Sequence, residues 1–378
     1  MPRRVTWIAV VLAAGAAALL AAVAAAAPPA VDADAYLVVN AGTGEVLAAR
    51  NDREQLPIAS ITKLMTVLVA LERVDPDDVV TVESGAAAVG ESTINLRAGE
   101  RLTVGELATA ALVQSANDAA TALAAHVGGG SVARFVELMN AKARRLGLRD
   151  TTFVNPNGLD APGHLSSARD VTLLARVAMR NPFVRRTVRL ETAEIGGGRN
   201  LFTWNDLLGS VPGLIGVKTG HTTRAGWSQV AAVRRNGVTV YATVLGGPTR
   251  WERNADLAEL LAWGVSRYRL VRAVQTGRTY ATASTGYDRP PVTLVANRER
   301  LRNVRVDRPL VEQIVAPASV ELPVRRGQRL GEVSVYAGDE LLARSPLVAA
   351  RSIGEPGLWG KTSWYAGRTL DELGGLFT

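Results

Sequence analysis

The sequence predicts an α/β architecture of the α+β kind: an antiparallel sheet flanked by helices with a helical subdomain, plus a small all-β C-terminal domain. Three observations carry this. Strand-like runs near the start (AYLVV, 35–39, and EVLAAR, 45–50) flank the turn NAGTG, and two more, Ser228–Arg234 and Val238–Leu245, flank the hairpin-forming Asn236-Gly237. Helical periodicity fills the stretch between these pairs. From about Val274 the chain turns to short β-branched segments separated by turn signals.

Taken in order, residues 1–27 read as a secretory signal. Arg3 and Arg4 precede an apolar run, Val5–Val23, and AAAA at 24–27 leads into Pro28. An uncleaved membrane anchor is the alternative, because the run is nearly long enough to span a bilayer. Its alanine richness favours cleavage near Ala27, and the chain is expected in the cell envelope, outside the cytoplasm. The segment LPIASITKLMTVLVALERV then reads as a long helix beginning near Ser60 and ending before Asp75-Pro76. Helices follow at Val104–Val113, Asp118–Val127, Val132–Leu146 and Ala168–Met179, and another spans about Arg253–Val265. The first strands must join the last in one sheet, with the helical block beside it. Residues 31–273 thus form one domain. VTLVA, NVRV, VEQIV, VELPV, GEVSVYA and LLARSPLVAA form a second over 274–350, with the pattern of a small sandwich, and 351–378 stand apart as a tail.

Composition narrows the function. The chain has no cysteine, so it is held by its core and cannot be a thiol enzyme. His126, His164 and His221 lack ligand-like spacing, and neither metal nor cofactor is expected. Loss of Arg3 and Arg4 lowers the net charge from +8 to +6. The arginines form no dense block and no aromatic stripe, so nucleic acid is not an expected partner; an anionic envelope polymer or lipid surface would be attracted.

Of 43 basic residues only four are lysines: Lys63, Lys142, Lys218 and Lys361. Arg stays protonated, whereas a desolvated Lys can lose its proton and act as a base. Ser60 stands three residues before Lys63, on the same face of a helix, and a serine beside a base is the minimal unit of nucleophilic catalysis. Lys218 opens a Lys-Thr-Gly triplet just before the strand at Ser228, and Gly220 lets a peptide backbone approach closely. Ser115 and Asn117 sit at the break between two helices, where either could instead be a helix cap. Lys142 lies on an arginine-rich helix face and reads as solvated. Lys361 lies in GEPGLWGKTS, where Glu355 breaks the glycine spacing of a phosphate loop. His164 and His126 read as structural histidines.

Ser60-Ile-Thr-Lys63, Ser115-Ala-Asn117 and Lys218-Thr-Gly220, in that order, match the motif set of penicillin-binding proteins and class A β-lactamases. The chain resembles the low-molecular-mass penicillin-binding proteins that are D-alanyl-D-alanine carboxypeptidases. AYLVVNAGTGEVLAARND, TTFVNPNGLDAPGHLSSARD, KTGHTTRAGW and VLGGPTRWERNADLAELLAWG extend the resemblance across nearly the whole mature chain. The resemblance implies the penicillin-binding/β-lactamase-like transpeptidase fold and a serine carboxypeptidase acting on peptidoglycan stem peptides that end in D-Ala-D-Ala, acylated and inhibited by β-lactam antibiotics. It implies that Ser60 is the nucleophile and Lys63 the general base. Ser115 would relay a proton to the leaving amine, and Asn117 would position substrate and Lys63. Lys218, Thr219 and Arg253 would hold the substrate carboxylate, beside Gly220, and the backbone N–H groups of Ser60 and His221 would form the oxyanion hole. For Arg253 the alternative is an ordinary helix-surface arginine.

A β-lactamase would need an added base, but NPNGLDAPGHLSS holds Asp160 and no Glu-x-x-x-Asn pattern. A D,D-endopeptidase cutting peptide crosslinks would use the same residues, and remains the alternative activity. In the tail, Trp364, Tyr365, Ala366, Leu370, Leu373, Leu376 and Phe377 share one helical arc opposite Arg368, Asp371, Glu372 and Gly375. Relatives often end in such a helix, so peripheral contact with the outer face of a membrane is expected. Gly374, Gly375 and the two acids oppose it.

Overall fold

A computed structural model of the chain describes the backbone of residues 7–13, residues 27–364, and residue 366. Two compact units divide it: Ala27–Ser266, and the chain from Arg267 onward together with the N-terminal strand. In chain order, β1 (Trp7–Ala13) is followed by β2 (Ala35–Asn40), β3 (Val46–Arg50) and helix α1 (Lys63–Leu71). Then come β4 (Val79–Thr81), α2 (Ser84–Ala87), β5 (Arg101–Thr103), α3 (Val104–Val113), α4 (Asn117–Val127) and α5 (Val132–Leu146). Helices α6 (Ala168–Ala178) and α7 (Pro182–Thr187) precede the hairpin β6 (Thr192–Ile195) and β7 (Arg199–Phe202). The first unit closes with β8 (Leu214–Thr222), β9 (Gly226–Arg235), β10 (Val238–Gly247) and α8 (Arg250–Ser266).

The first and last strands meet in one antiparallel sheet, ordered β3-β2-β10-β9-β8, with Val240 opposite Asn40 and Leu245 opposite Ala35. Asn236 and Gly237 both take positive φ, 51° and 78°, the geometry of the expected tight hairpin turn. KLMTVLVAL is apolar almost all round, and accordingly α1 is buried on every side down to Ala70. Helix α8 lies against the sheet so closely that a Cβ at Gly264 would come within 2.8 Å of Val240 Cγ1. Capping is local and legible: Thr103 and Glu106 form a reciprocal box at the start of α3, and Gly147 ends α5 in the left-handed region.

Some expectations are corrected. The helix expected from Ser60 begins as a 3-10 turn, Ala59–Thr62, and becomes α-helical only at Lys63. Neither Ser115 nor Asn117 caps α4; Ala116, whose side chain has no acceptor, occupies that position, and Ser115 and Asn117 are bonded to Lys218 and Lys63. Lys218 lies inside an edge strand rather than before one. Lys142 is ion-paired with Glu72 rather than merely solvated.

The second unit holds β11 (Tyr268–Val274), β12 (Thr279–Thr285), β13 (Val292–Ala296), β14 (Arg300–Arg305), β15 (Leu310–Pro317), β16 (Ser319–Val320), β17 (Arg329–Ala337) and β18 (Glu340–Ala349). Its sheets are seven-stranded (β1-β15-β17-β18-β13-β12-β16) and two-stranded (β11-β14), over a core that includes Val292, Leu294, Val333 and Leu347. Strand β11 belongs here through its pairing with β14, ahead of the change of texture at Val274. Strand β1, within the expected signal segment, pairs with the edge of β15, whose free backbone groups accept an extended apolar run. Residues 1–6 and 14–26 of that segment lie outside the described residues, as do Tyr365 and 367–378 of the tail.

Candidate active site

The site forms where three elements meet: the turn leading into α1, the break between α3 and α4, and edge strand β8. Ser60 occupies the turn and Lys63 opens α1, so the short 3-10 rise brings Lys63 Nζ to 2.6 Å from Ser60 Oγ. Lys63 is fully buried. Its nitrogen also donates to Asn117 Oδ1 and to the Asn157 carbonyl, each at 2.7 Å.

Both of these latter partners are acceptors only. When Lys63 is neutral, its two N–H bonds are taken by Asn117 and Asn157, and the lone pair is left facing the Ser60 hydroxyl. Burial, reinforced by the charge of Lys218, holds the Lys63 amine well below the usual lysine range, while Glu91 and Asp118 pull it back. The arrangement therefore favours a base that is uncharged before reaction.

Ser115 sits in the α3–α4 break with φ of +64°, a strained conformation for a non-glycine residue. Its Oγ accepts from Lys218 Nζ at 2.9 Å, and Lys218 also donates to the Thr219 carbonyl. Lys218 is buried, and desolvation, with a contribution from Arg253, lowers it to about 7. Thr219 is buried beside it. Gly220 is required by close approach: a Cβ there would meet the Ile58 carbonyl at 2.6 Å and Ala59 Cβ at 3.2 Å. That contact sets the backbone of β8, including His221, against the Ser60 turn.

His221 stacks on Trp227, its partner across the β8–β9 ladder, at 3.9 Å between ring centroids. Arg253 Cζ lies 5.7 Å from the other ring system's centroid, that of Trp227, and the side chain is buried. It is not a surface arginine. Asp206 Oδ2 stands 3.6 Å away, and burial lowers Arg253 to about 10.

Several supporting groups were not apparent in the sequence. The Asn157 carbonyl is one, because a backbone acceptor leaves no residue signature. It is held in place by Gly158, where φ is +89° and a Cβ would overlap the Ala59 carbonyl. The loop before Asn95 is another: Asn117 Nδ2 donates to the Gly90 carbonyl and Asn117 N to the Ser92 carbonyl, while Asp118 accepts from the Ile94 and Leu96 amides. A third is the rim, where Trp204 Nε1 donates to the Gln114 carbonyl and Arg250 covers the Trp204 ring while pairing with Asp206. His164 accepts from the Val154 amide at Nδ1, so Nε2 carries the proton and faces Thr62 Oγ1 at 2.8 Å.

A family model described as D-alanyl-D-alanine carboxypeptidase matches residues 22–249. The chain belongs to this family. It is a serine-type D-Ala-D-Ala carboxypeptidase with a penicillin-binding-protein fold. This carboxypeptidase is 32% identical to the D-alanyl-D-alanine carboxypeptidase DacD of Salmonella typhimurium over 357 residues, 89% of this chain and 90% of the relative. It is 34% identical to DacB2 of Mycobacterium tuberculosis over 243 residues, 61% of this chain and 82% of that one. Among solved structures, penicillin binding protein 6B from Escherichia coli is similar with a TM-score of 0.64 and 30% identity, covering 86% of this carboxypeptidase and 97% of that chain.

Proposed function

We propose that this carboxypeptidase removes the terminal D-alanine from peptidoglycan stem peptides through an acyl-enzyme on Ser60. The observation that carries the reading is the three-way contact of Lys63 Nζ with Ser60, Asn117 and Asn157. Ser60 Oγ attacks the carbonyl carbon of the penultimate D-alanine as its proton passes to Lys63. The oxyanion is held by the backbone N–H groups of Ser60 and His221. On collapse the C–N bond breaks, and the departing amine takes the Lys63 proton by way of Ser115 Oγ, which accepts from Lys218 and keeps its own O–H for the amine. Water then attacks the ester, Lys63 takes its proton, and the shortened peptide leaves with Ser60 regenerated.

Lys218, Thr219 and Arg253 bind the substrate carboxylate, with Asn117 steadying both peptide and Lys63. Penicillins enter the same route and stop at the ester. The same residues serve a D,D-endopeptidase, and the product separates the two: free D-alanine from a linear peptide against cleavage of a crosslink. We place the enzyme in the cell envelope, at the outer face of the membrane. In the described part of the tail, Leu358 and Trp359 are 85% and 89% exposed, as expected of side chains meeting an interface. Mature protein ending at Ile353 is expected to bind lipid vesicles less well while still releasing D-alanine; binding unchanged by the truncation contradicts the tail's role.

A further inference from the structure

The charge of this chain is unevenly distributed. Residues 27–266 hold 24 basic and 24 acidic side chains and are neutral overall. Residues 267–306 hold nine arginines against two acids, whereas 307–353 hold six of each sign. The whole basic excess of the mature chain thus falls on forty residues, and every cation there is arginine.

Those residues include the two-stranded sheet β11–β14. Its inner face is apolar, with Ala273 and Val304 buried. On the outer face Leu270 pairs opposite Asn303 and Arg272 opposite Leu301, so Leu270 and Leu301 are diagonal neighbours. They are 53% and 47% exposed, large apolar side chains left in solvent beside one another. Of the arginines, Arg272 shares this face, while Arg269 and Arg302 alternate to the other side of the sheet and Arg298 lies in the turn before β14; all four are exposed. Arg302 is fixed by donating to the Leu342 and Leu301 carbonyls, and Arg272 meets Glu299 only loosely, at 3.8 Å.

We propose that this face docks on a bilayer containing anionic phospholipid, independently of the tail. Guanidinium groups bind phosphate oxygens bidentately, and a leucine pair beside Arg272 can enter the interface while the long side chains of the neighbouring arginines reach headgroups. A soluble polyanion would use the arginines and have no use for the leucines.

The test uses the mature protein and its truncation at Ile353, which removes the tail, with vesicles of phosphatidylcholine with or without phosphatidylglycerol, at low and high salt; the outcomes below are read on the truncated protein. Binding should require phosphatidylglycerol and weaken with salt. Arg269→Ser/Arg272→Ser/Arg298→Ser should lower vesicle affinity at least about tenfold. Leu270→Ser/Leu301→Ser should lower it severalfold, and both sets should keep wild-type D-alanine release, which reports an intact fold in the first unit. Native melting of each variant, followed by near-ultraviolet circular dichroism, checks the second. Equal binding to neutral vesicles, or no loss in the arginine variant, overturns the proposal. Loss in the arginine variant alone, with the leucine variant unchanged, also overturns it and assigns the face to a soluble anionic polymer.

Discussion

Lys63 Nζ lies 2.6 Å from Ser60 Oγ, and its remaining hydrogen-bonding directions point at two oxygen acceptors. That relationship suits the proposed role of Lys63 as a base aimed at one hydroxyl. Lys63→Arg puts a permanently protonated group where a neutral amine is expected and removes the proton exchange. Acylation by a fluorescent penicillin should then slow by about 10²–10⁴-fold. Because an arginine is bulkier in this buried position, Lys63→Ala serves as the second variant. Stopped-flow rates near wild type in either would remove the general-base role.

Lys218 asks for charge rather than exchange. With its amine lowered to about 7, kcat/KM for a carboxylate-bearing peptide should fall as pH rises through that value and the cation is lost. Lys218→Arg stays protonated, so the alkaline limb should move upward while part of the activity remains. Lys218→Ala should lose far more at every pH. Equal losses in the two variants, with no shift of the limb, would exclude charge anchoring.

His164 links the Ser60 turn to the loop at Val154 in its neutral form, and burial lowers it to about 4. Above the unfolded value near 6.5 neither state is protonated, and nothing is lost. As pH falls from 6.5 toward 4 the unfolded chain takes up a proton that the native chain refuses, so stability declines. Between pH 7 and 4.5 the loss from this group should be about 2.5 kcal/mol. Urea denaturation of the wild type and His164→Gln at both values checks it; an identical pH dependence in the two proteins would contradict this assignment.

Gly158→Ala places a Cβ against the Ala59 carbonyl, in a conformation with φ of +89°. The turn carrying Ser60 and the Asn157 carbonyl must both shift. Thermal unfolding should show a loss of about 1–3 kcal/mol, with slower acylation at temperatures where the variant is folded. A variant as stable and as fast as wild type would show that this contact does not set the Lys63 geometry.

Much of the site was legible because its residues belong to patterns with a fixed period or fixed chemistry. Ser60 and Lys63 share a helical face, and Ser115 and Asn117 fall where the apolar period of α3 stops before α4 begins. The sheet could be inferred because the paired strands at both ends of the first unit carry clear turn signals. Strand β8 was harder to see: Lys218, Thr219 and His221 interrupt its apolar run, Lys218 reaching Ser115 and His221 stacking on Trp227. The Asn157 carbonyl could not be read at all, being backbone. For Arg253 the residues alone left an ordinary helix-surface arginine open beside the carboxylate-binding reading, because burial beside Trp227 depends on the close approach of α8 to the sheet. The pairing of β11 with β14 was hidden for a similar reason, since YRLVRAV carries two arginines and lacks the alternation of a half-buried strand.

The central claim is tested most directly by incubating the enzyme with a D-Ala-D-Ala-terminated peptide while free D-alanine is measured, and mapping the trapped penicillin adduct by mass spectrometry. Wild type should release D-alanine and carry the adduct on Ser60, and Ser60→Ala should do neither while remaining folded. D-alanine release by Ser60→Ala at the wild-type rate, or an adduct on another residue, would contradict it.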